Sequence, residues 1–420
     1  MVRKCWPGHR AQFEVFLDFE DITRLEYNDD PDQLEKIFCM REEPGKTLPL
    51  QCGFFSYELL AANMGIQCRS PIDLNLPAAL WARPQTRLVL MEDHVSVETC
   101  KTGQAKQIQE LALKCPKPAK SPSSNAFGSI SSNLTETEYA EIFQAAREQI
   151  LDGNTYQIKI SQRFESRQTL NPFQAFARLS STNPSPEAFL LCWDDFSLVS
   201  CSPETVLHKQ EANLITRPIG GTFEKMEAGW EENRVREFLG NNKELAEHNM
   251  LVDLERNDLS RVCKSGSVRI SRFREVEKYA HLYHLVTTIE GMARDDVGIK
   301  EILRAMLPGG TVTGCPKYST IELIDRFEPC FRGPYTGSFG TLHDNGDMHL
   351  NLIIRALIQV DGRSLVQAGG GIVIDSNPAY EFNENRIKAQ ALLNLLNNPA
   401  DAQARDSTLS GSNIPATQLQ

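Results

Sequence analysis

Strand-like runs recur along this chain without a helix between each pair, and no other feature narrows the fold as much. Tyr156-Gln157-Ile158-Lys159-Ile160-Ser161 alternates with period two, so Gln157 and Lys159 share one face of a strand. Further strands are expected at 188–192, 197–201, 213–217, 337–342, 349–359 and 365–374, with shorter runs at Leu88-Val89-Leu90 and Val95-Ser96-Val97. Thr135-Glu136-Thr137-Glu138 forms a capping box. Tyr139, Phe143, Ala146 and Ile150 then recur at helical spacing until Asp152-Gly153-Asn154 stops the helix. Other helices are expected at 231–255, 277–291, 298–307, 317–326 and 379–397. A doubly wound parallel sheet would alternate strand and helix steadily. This order instead predicts an α+β fold with large antiparallel sheets.

At 420 residues the chain suits one large or two medium domains. Its net charge of −11 argues against a broad nucleic-acid surface, because phosphate binding needs clustered Lys and Arg. No apolar run approaches the roughly 20 residues that span a bilayer, so no membrane partner is expected. Residues 1–12 carry Arg3, Lys4 and Arg10 with no apolar stretch, so no signal peptide is expected. Eleven cysteines, an odd number without Cys-x-x-Cys or zinc spacing, suit free buried thiols in a reducing cytoplasm. Cys315 is expected to pack rather than react. Residues 1–114 read as an amino-terminal region, 115–133 as a Pro- and Ser-rich linker, 134–396 as the catalytic region and 397–420 as a disordered tail.

Several residues are suited to chemistry. Glu244 with Glu247, and Glu381 with Glu384, each place carboxylates at i and i+3 on one helical face. Four carboxylates from two helices can hold a hard cation such as Mg²⁺, although Glu-x-x-Glu is common on solvated faces and Glu384 with Lys388 is an ordinary i,i+4 pair. Glycine clusters at 309–314 and 369–371 allow close backbone approach to a ligand, but neither matches a Walker A loop or a dinucleotide fingerprint. Arg355, inside the apolar run Leu352-Ile353-Ile354-Arg355-Ala356-Leu357, needs an anionic partner from the protein or from a ligand. His284 lies in an equally apolar stretch, where a histidine is either a satisfied core residue or an acid/base.

An ordered series of motifs from about Thr135 to Leu393 resembles the chorismate-utilising enzymes: anthranilate synthase component I, aminodeoxychorismate synthase component I and the isochorismate synthases. The motifs are DGNTYQ (152–157), NPSPEAFL (183–190), SCSPE (200–204), RPIGGT (217–222), KELAEHNMLVDLERNDLSRV (243–262), YHLV (283–286), LPGGTVTGCPK (307–317), NLIIRAL (351–357) and QAGGGIVIDS (367–376). GFFSYE (53–58) resembles the family's amino-terminal region. The resemblance implies the chorismate-binding fold, an α/β sandwich type of α+β protein with two large facing antiparallel sheets and helices outside. It implies Mg²⁺ held by Glu247 and Glu384, with Glu244 and Glu381 in support. Glu204 matches the general acid for the C4 hydroxyl. Arg355 and Tyr335, helped by backbone at Gly369, Gly370 and Gly371, match binders of the enolpyruvyl side chain. Thr311, His284 and Lys388 match further catalytic positions, and Gly220 and Thr222 match the substrate side of their motif.

The resemblance also bears on the nucleophile. Members that add water carry a lysine base at the position of Gln157, and glutamine cannot deprotonate water, so ammonia is expected instead. Aminodeoxychorismate synthases usually carry a nucleophilic lysine at the position of Gly220, whereas anthranilate synthases usually carry alanine. Other motifs resemble the aminodeoxychorismate branch, and the amino-terminal region lacks a Leu-Leu-Glu-Ser element. The expected function is therefore amination of chorismate to 4-amino-4-deoxychorismate, with anthranilate synthase component I as the alternative and a catalytically weak regulatory relative as the non-enzyme alternative. No glutaminase unit is present, so a separate glutamine amidotransferase subunit is the expected ammonia source. Lys159 is expected to pair with a carboxylate. Alternatively, its amine reaches toward the substrate ring, into space that a glycine at 220 leaves.

Overall fold

A computed structural model describes residues 1–4, 12–38, 48–113, 129–224, 240, 242–278 and 282–397. The described residues contain nineteen strands joined in one antiparallel network. Two runs of strands part at the long pair Phe13–Leu25 and Ala79–Leu90. The first continues from Ala79–Leu90 through Leu50–Phe55, Ser338–His343, Met348–Leu352, Thr205–Gln210 and Asn213–Thr216 to Leu282–Met292. The second runs from Phe13–Leu25 through Val2–Lys4, Glu187–Cys192, Phe196–Ser202, Ala356–Val360 and Arg363–Ile372 to Gln157–Ser166. Strands from before residue 91 thus belong to the same network as those after residue 156. Phe189 of the second run stacks on Phe339 of the first, with centroids 4.0 Å apart and planes 7° from parallel. Such a pair adds about 0.5–1.5 kcal/mol beyond its burial and ties the two layers together.

Local chemistry sets the helix ends. The Thr135 hydroxyl accepts the Glu138 N–H and the Glu138 carboxylate accepts the Thr135 N–H, so the capping box forms and starts Glu136–Leu151. Gly153, at φ +77°, lets the chain leave that helix. Helices Ile299–Met306, Lys317–Phe327 and Pro378–Asn397 fall where the apolar spacing predicts them. Of the helix expected at 231–255, residues 231–239 and 241 lie outside the described residues, and Asn242–Ser260 is helical. Within the expected linker, residues 115–128 lie outside them, as does the tail from 398 onward.

Two expectations need correction. The helix expected at 277–291 is not found among the described residues: Arg269–Lys278 and Leu282–Met292 are antiparallel strands. Leu282–Met292 is flanked on both sides by other strands, so its buried Tyr283, Leu285, Val286 and Ile289 read as a continuous apolar run. Periodicity alone does not separate such a strand from a buried helix, and the β-branched Val286-Thr287-Thr288-Ile289 was the better guide. Residues 349–359 are two strands rather than one. Met348–Leu352 lies in the first run and Ala356–Val360 in the second, and the chain crosses between them at Arg355, whose φ is +51°. A left-handed backbone at a bulky residue costs roughly 1–3 kcal/mol, so the surrounding strands must impose it.

Candidate active site

The glycine run 369–371 organises the site, because each glycine makes room for a different group. A Cβ on Gly369 would stand 3.1 Å from the Tyr335 hydroxyl oxygen. One on Gly370 would stand 2.9 Å from Glu384 Oε2 and 3.0 Å from Glu381 Oε2. One on Gly371 would stand 2.6 Å from Lys159 Nζ and 2.7 Å from Gln157 Nε2. The strand Arg363–Ile372 pairs Gly371 with Lys159 and Gly369 with Ser161, which fixes the height of these groups. Gln157 and Lys159 thus converge on one point, as their period-two spacing requires.

Glu204 follows the strand Phe196–Ser202 and is buried. Its Oε1 accepts the Thr311 hydroxyl at 2.6 Å. Burial raises its pKa to about 8, reinforced by the charge of Glu255 and opposed by the Thr311 bond and the charge of Lys159. Glu204 therefore keeps its proton at neutral pH and can donate it. Thr311 stands on the short helix Gly310–Thr313, held by the Gly310 N–H donating to Glu255 Oε1 at 3.3 Å.

On Pro378–Asn397, Lys388 Nζ donates to Glu384 Oε2 at 2.9 Å and to the Gly369 carbonyl at 3.2 Å. Burial pushes the Glu384 carboxyl up, but Lys388, by charge and hydrogen bond, outweighs it and leaves the group below the usual range. Burial raises Glu381, which accepts the Ser376 hydroxyl at 2.8 Å. These two adjacent oxygen donors fit one half of a hard-cation site. Glu247 is half-buried on Asn242–Ser260. The Glu244 and Thr222 side chains lie outside the described ones, and among those described no three His, Cys, Asp or Glu form a ready metal cluster.

Arg355 and Lys159 have no carboxylate partner within 4.0 Å among the described residues. The carboxylate pairing expected for Lys159 is therefore absent there. Tyr335 is buried, and its phenol is held protonated chiefly by that burial. His284 is buried on Leu282–Met292, opposite Thr222 in the strand register. Gly220 lies at a bulge in the pairing of Ile219–Glu224 with Leu282–Met292. The space beside it is not empty: a Cβ there would lie 2.7 Å from Cγ of His248, and closer to Nδ1. The room expected at Gly220 for an incoming amine is thus taken by an imidazole.

Sequence reasoning overlooked two residues. His248 is fully buried, its Nε2 lies 2.7 Å from the Thr287 hydroxyl, and its Nδ1 has no partner in the described structure. Arg332 pairs with Glu328 at 2.7 Å and donates to the carbonyls of Lys159 at 2.9 Å and Val312 at 3.0 Å. Glu328 Oε1 also accepts the Ser161 N–H and hydroxyl, both at 2.8 Å. This buried pair joins the Gln157–Ser166 strand to the segment carrying Thr311. Its only sequence signal is a Glu and an Arg four residues apart, which looks like any surface pair.

A family described as chorismate binding enzyme matches residues 6–394. Anthranilate synthase component 1 1 of Haloarcula marismortui is 41% identical over 264 residues, 63% of this chain and 54% of that protein. Aminodeoxychorismate synthase component 1 of Bacillus subtilis is 39% identical over 266 residues, 63% of this chain and 57% of that protein. These alignments span little more than half the length of either relative. The crystal structure of anthranilate synthase component I from Streptococcus pneumoniae superposes with a TM-score of 0.79 at 26% identity, covering 91% of this chain and 92% of that one. With the motifs in order across the two strand runs and a family match over nearly its whole length, the chain belongs to the chorismate-binding enzymes.

Proposed function

We propose that this chain catalyses Mg²⁺-dependent amination of chorismate to 4-amino-4-deoxychorismate, using ammonia from a separate glutamine amidotransferase subunit in the cytoplasm. The observation that carries amination is Gln157, 1% exposed, whose Oε1 has no hydrogen-bond partner in the described structure. An amide oxygen holds ammonia by accepting an N–H but cannot take a proton from water. Chorismate is a dicarboxylate, and Arg355 and Lys159, which have no carboxylate within 4.0 Å among the described residues, suit such an anion. Glu204 donates its proton to the departing C4 hydroxyl, which leaves as water, while Thr311 orients the carboxyl. Arg355 and Tyr335 hold the enolpyruvyl group against the backbone of Gly369–Gly371, with His284 and Lys388 completing the wall. Glu247 and Glu384, with Glu244 and Glu381, would hold Mg²⁺, which when bound would supply positive charge for a substrate carboxylate.

A second reading, anthranilate synthase component I, is favoured by one observation. With His248 filling the space beside Gly220, position 220 supplies no amine to the ring. Ammonia then enters at C2, and loss of pyruvate gives anthranilate. The test incubates the purified chain with chorismate, an ammonium salt and Mg²⁺, with and without aminodeoxychorismate lyase, and identifies products by mass spectrometry. Product that the lyase converts to p-aminobenzoate supports the first reading, and anthranilate the second. Isochorismate, or unconsumed chorismate, overturns both.

A further inference from the structure

Lys159, like Arg355, stands apart from the other cations of the site. Lys388 is engaged by Glu384 and by the Gly369 carbonyl. Lys317 is buried against Asp258 at 2.5 Å, and Arg332 is committed to Glu328. Lys159 has no carboxylate within 4.0 Å and no side-chain hydrogen bond among the described residues, although it is half-buried in a region rich in acids. Its backbone is clamped on two sides. Its carbonyl accepts Arg332 Nη2 at 2.9 Å, and it is paired with Gly371 in the sheet. The ammonium lies beside the Gln157 amide at the side-chain-free face of Gly371, and its charge is felt by Glu204, Glu381, Glu384 and Lys388. It therefore lies within electrostatic reach of both the proton donor Glu204 and the two carboxylates of Pro378–Asn397.

We propose that Lys159 is a substrate-binding residue whose ammonium pairs with a carboxylate of the cyclic dicarboxylate substrate, and that Gly371 is glycine to leave that ammonium its place. The proposal rests on the chorismate reading above. An ammonium held at fixed height with no carboxylate within 4.0 Å among the described residues keeps a pairing capacity that a dianionic substrate can meet. Any side chain at 371 would meet Lys159 Nζ at 2.6 Å and Gln157 Nε2 at 2.7 Å, so it would push both away from this point.

The test is steady-state kinetics with chorismate and ammonium for the wild type, Lys159→Gln, Lys159→Arg and Gly371→Ala. A charged hydrogen bond corresponds to roughly a 10- to 100-fold effect on binding. Lys159→Gln should raise KM for chorismate by about that factor with kcat within a few-fold. Lys159→Arg should restore most of it, and Gly371→Ala, which displaces the ammonium without deleting it, should also raise KM. An unchanged KM in an active Lys159→Gln enzyme overturns this assignment alone. So does loss of kcat in both Lys159→Gln and Lys159→Arg, the signature of an amine that reacts rather than binds. A wild type that neither binds nor consumes chorismate overturns the functional reading together with it.

Discussion

His248 packs its imidazole against the backbone of Gly220, so closely that a Cβ at 220 would come within 2.7 Å of the ring carbon Cγ. The ring is fully buried and anchored through Nε2 to Thr287, so it has nowhere to retreat. Gly220→Ala should therefore cost about 1–3 kcal/mol by overpacking, and Gly220→Lys more. Shrinking the ring should relieve that clash, so Gly220→Ala with His248→Ala should lose much less stability than the sum of the single losses. Urea denaturation of the four proteins gives the coupling energy. Additive effects would mean that the contact is not what excludes a side chain from 220.

Turnover should follow the protonated form of Glu204. Burial raises this group to about 8, so it is an acid below that pH and a carboxylate above it. With rates normalised to free ammonia, kcat should be flat below about 8 and fall with rising pH above it. Glu204→Gln should lower kcat by about 10²–10⁴-fold and remove the alkaline limb. An alkaline limb that persists in Glu204→Gln would assign the titration to another group.

The metal proposal predicts loss on chelation. Glu247→Gln or Glu384→Gln removes one negative oxygen donor, so turnover should drop by orders of magnitude and more Mg²⁺ should be needed for half-activation. Glu384→Gln also frees Lys388, whose ammonium it holds at 2.9 Å, so it should be the more damaging. Wild-type turnover insensitive to a chelator would remove the metal from this chemistry.

Acid stability should depend on Glu14. Its carboxyl pairs with Arg3 and Arg87, the latter through Nε at 2.8 Å. Burial alone would push it up, but the two arginines, by charge and hydrogen bond, bring it down to about 2 from 4.5. A depressed carboxylate stabilises the fold fully above its unfolded pKa. That contribution, on the order of 3 kcal/mol, is lost as pH falls from about 4.5 toward about 2. Urea midpoints of wild type and Glu14→Gln should differ at pH 7 and converge in acid. A gap that stays constant with pH would show that the pairing is not the cause.

Part of the candidate site was legible in the sequence, in that the structure gathers Tyr335, Glu381, Glu384, Gln157 and Lys159 around one glycine run. The glycines at 369–371 leave room for Tyr335, for the Glu381–Glu384 pair and for Lys159, and larger residues could not do so. What escaped were relationships between distant positions. His248 reads as one polar residue on a helix, and only the fold brings it against Gly220. The left-handed turn at Arg355 leaves no mark in an apolar run, because the neighbouring strands impose it. The strand Leu282–Met292 was misread for a similar reason: pairing on both sides replaces alternation by a continuous apolar pattern.

Gln157→Lys probes how the nucleophile is chosen. The amide it replaces lies on the same side of Gly371 as Lys159 Nζ, so a second ammonium would stand only a few ångströms from the first. Like charges at that separation disfavour the doubly protonated state, and one amine should lose its proton nearer neutral pH. A neutral amine at the position of Gln157 can take a proton from water, which glutamine cannot do. The variant should therefore form some isochorismate from chorismate and Mg²⁺, at the expense of aminated product, with the hydrated fraction growing as pH rises. Adding Lys159→Gln removes the repelling neighbour, so the onset of isochorismate formation should move to higher pH. Chromatographic product analysis across pH for both variants decides this. A Gln157→Lys enzyme that still gives only aminated product at full rate would show that Gln157 does not choose between ammonia and water.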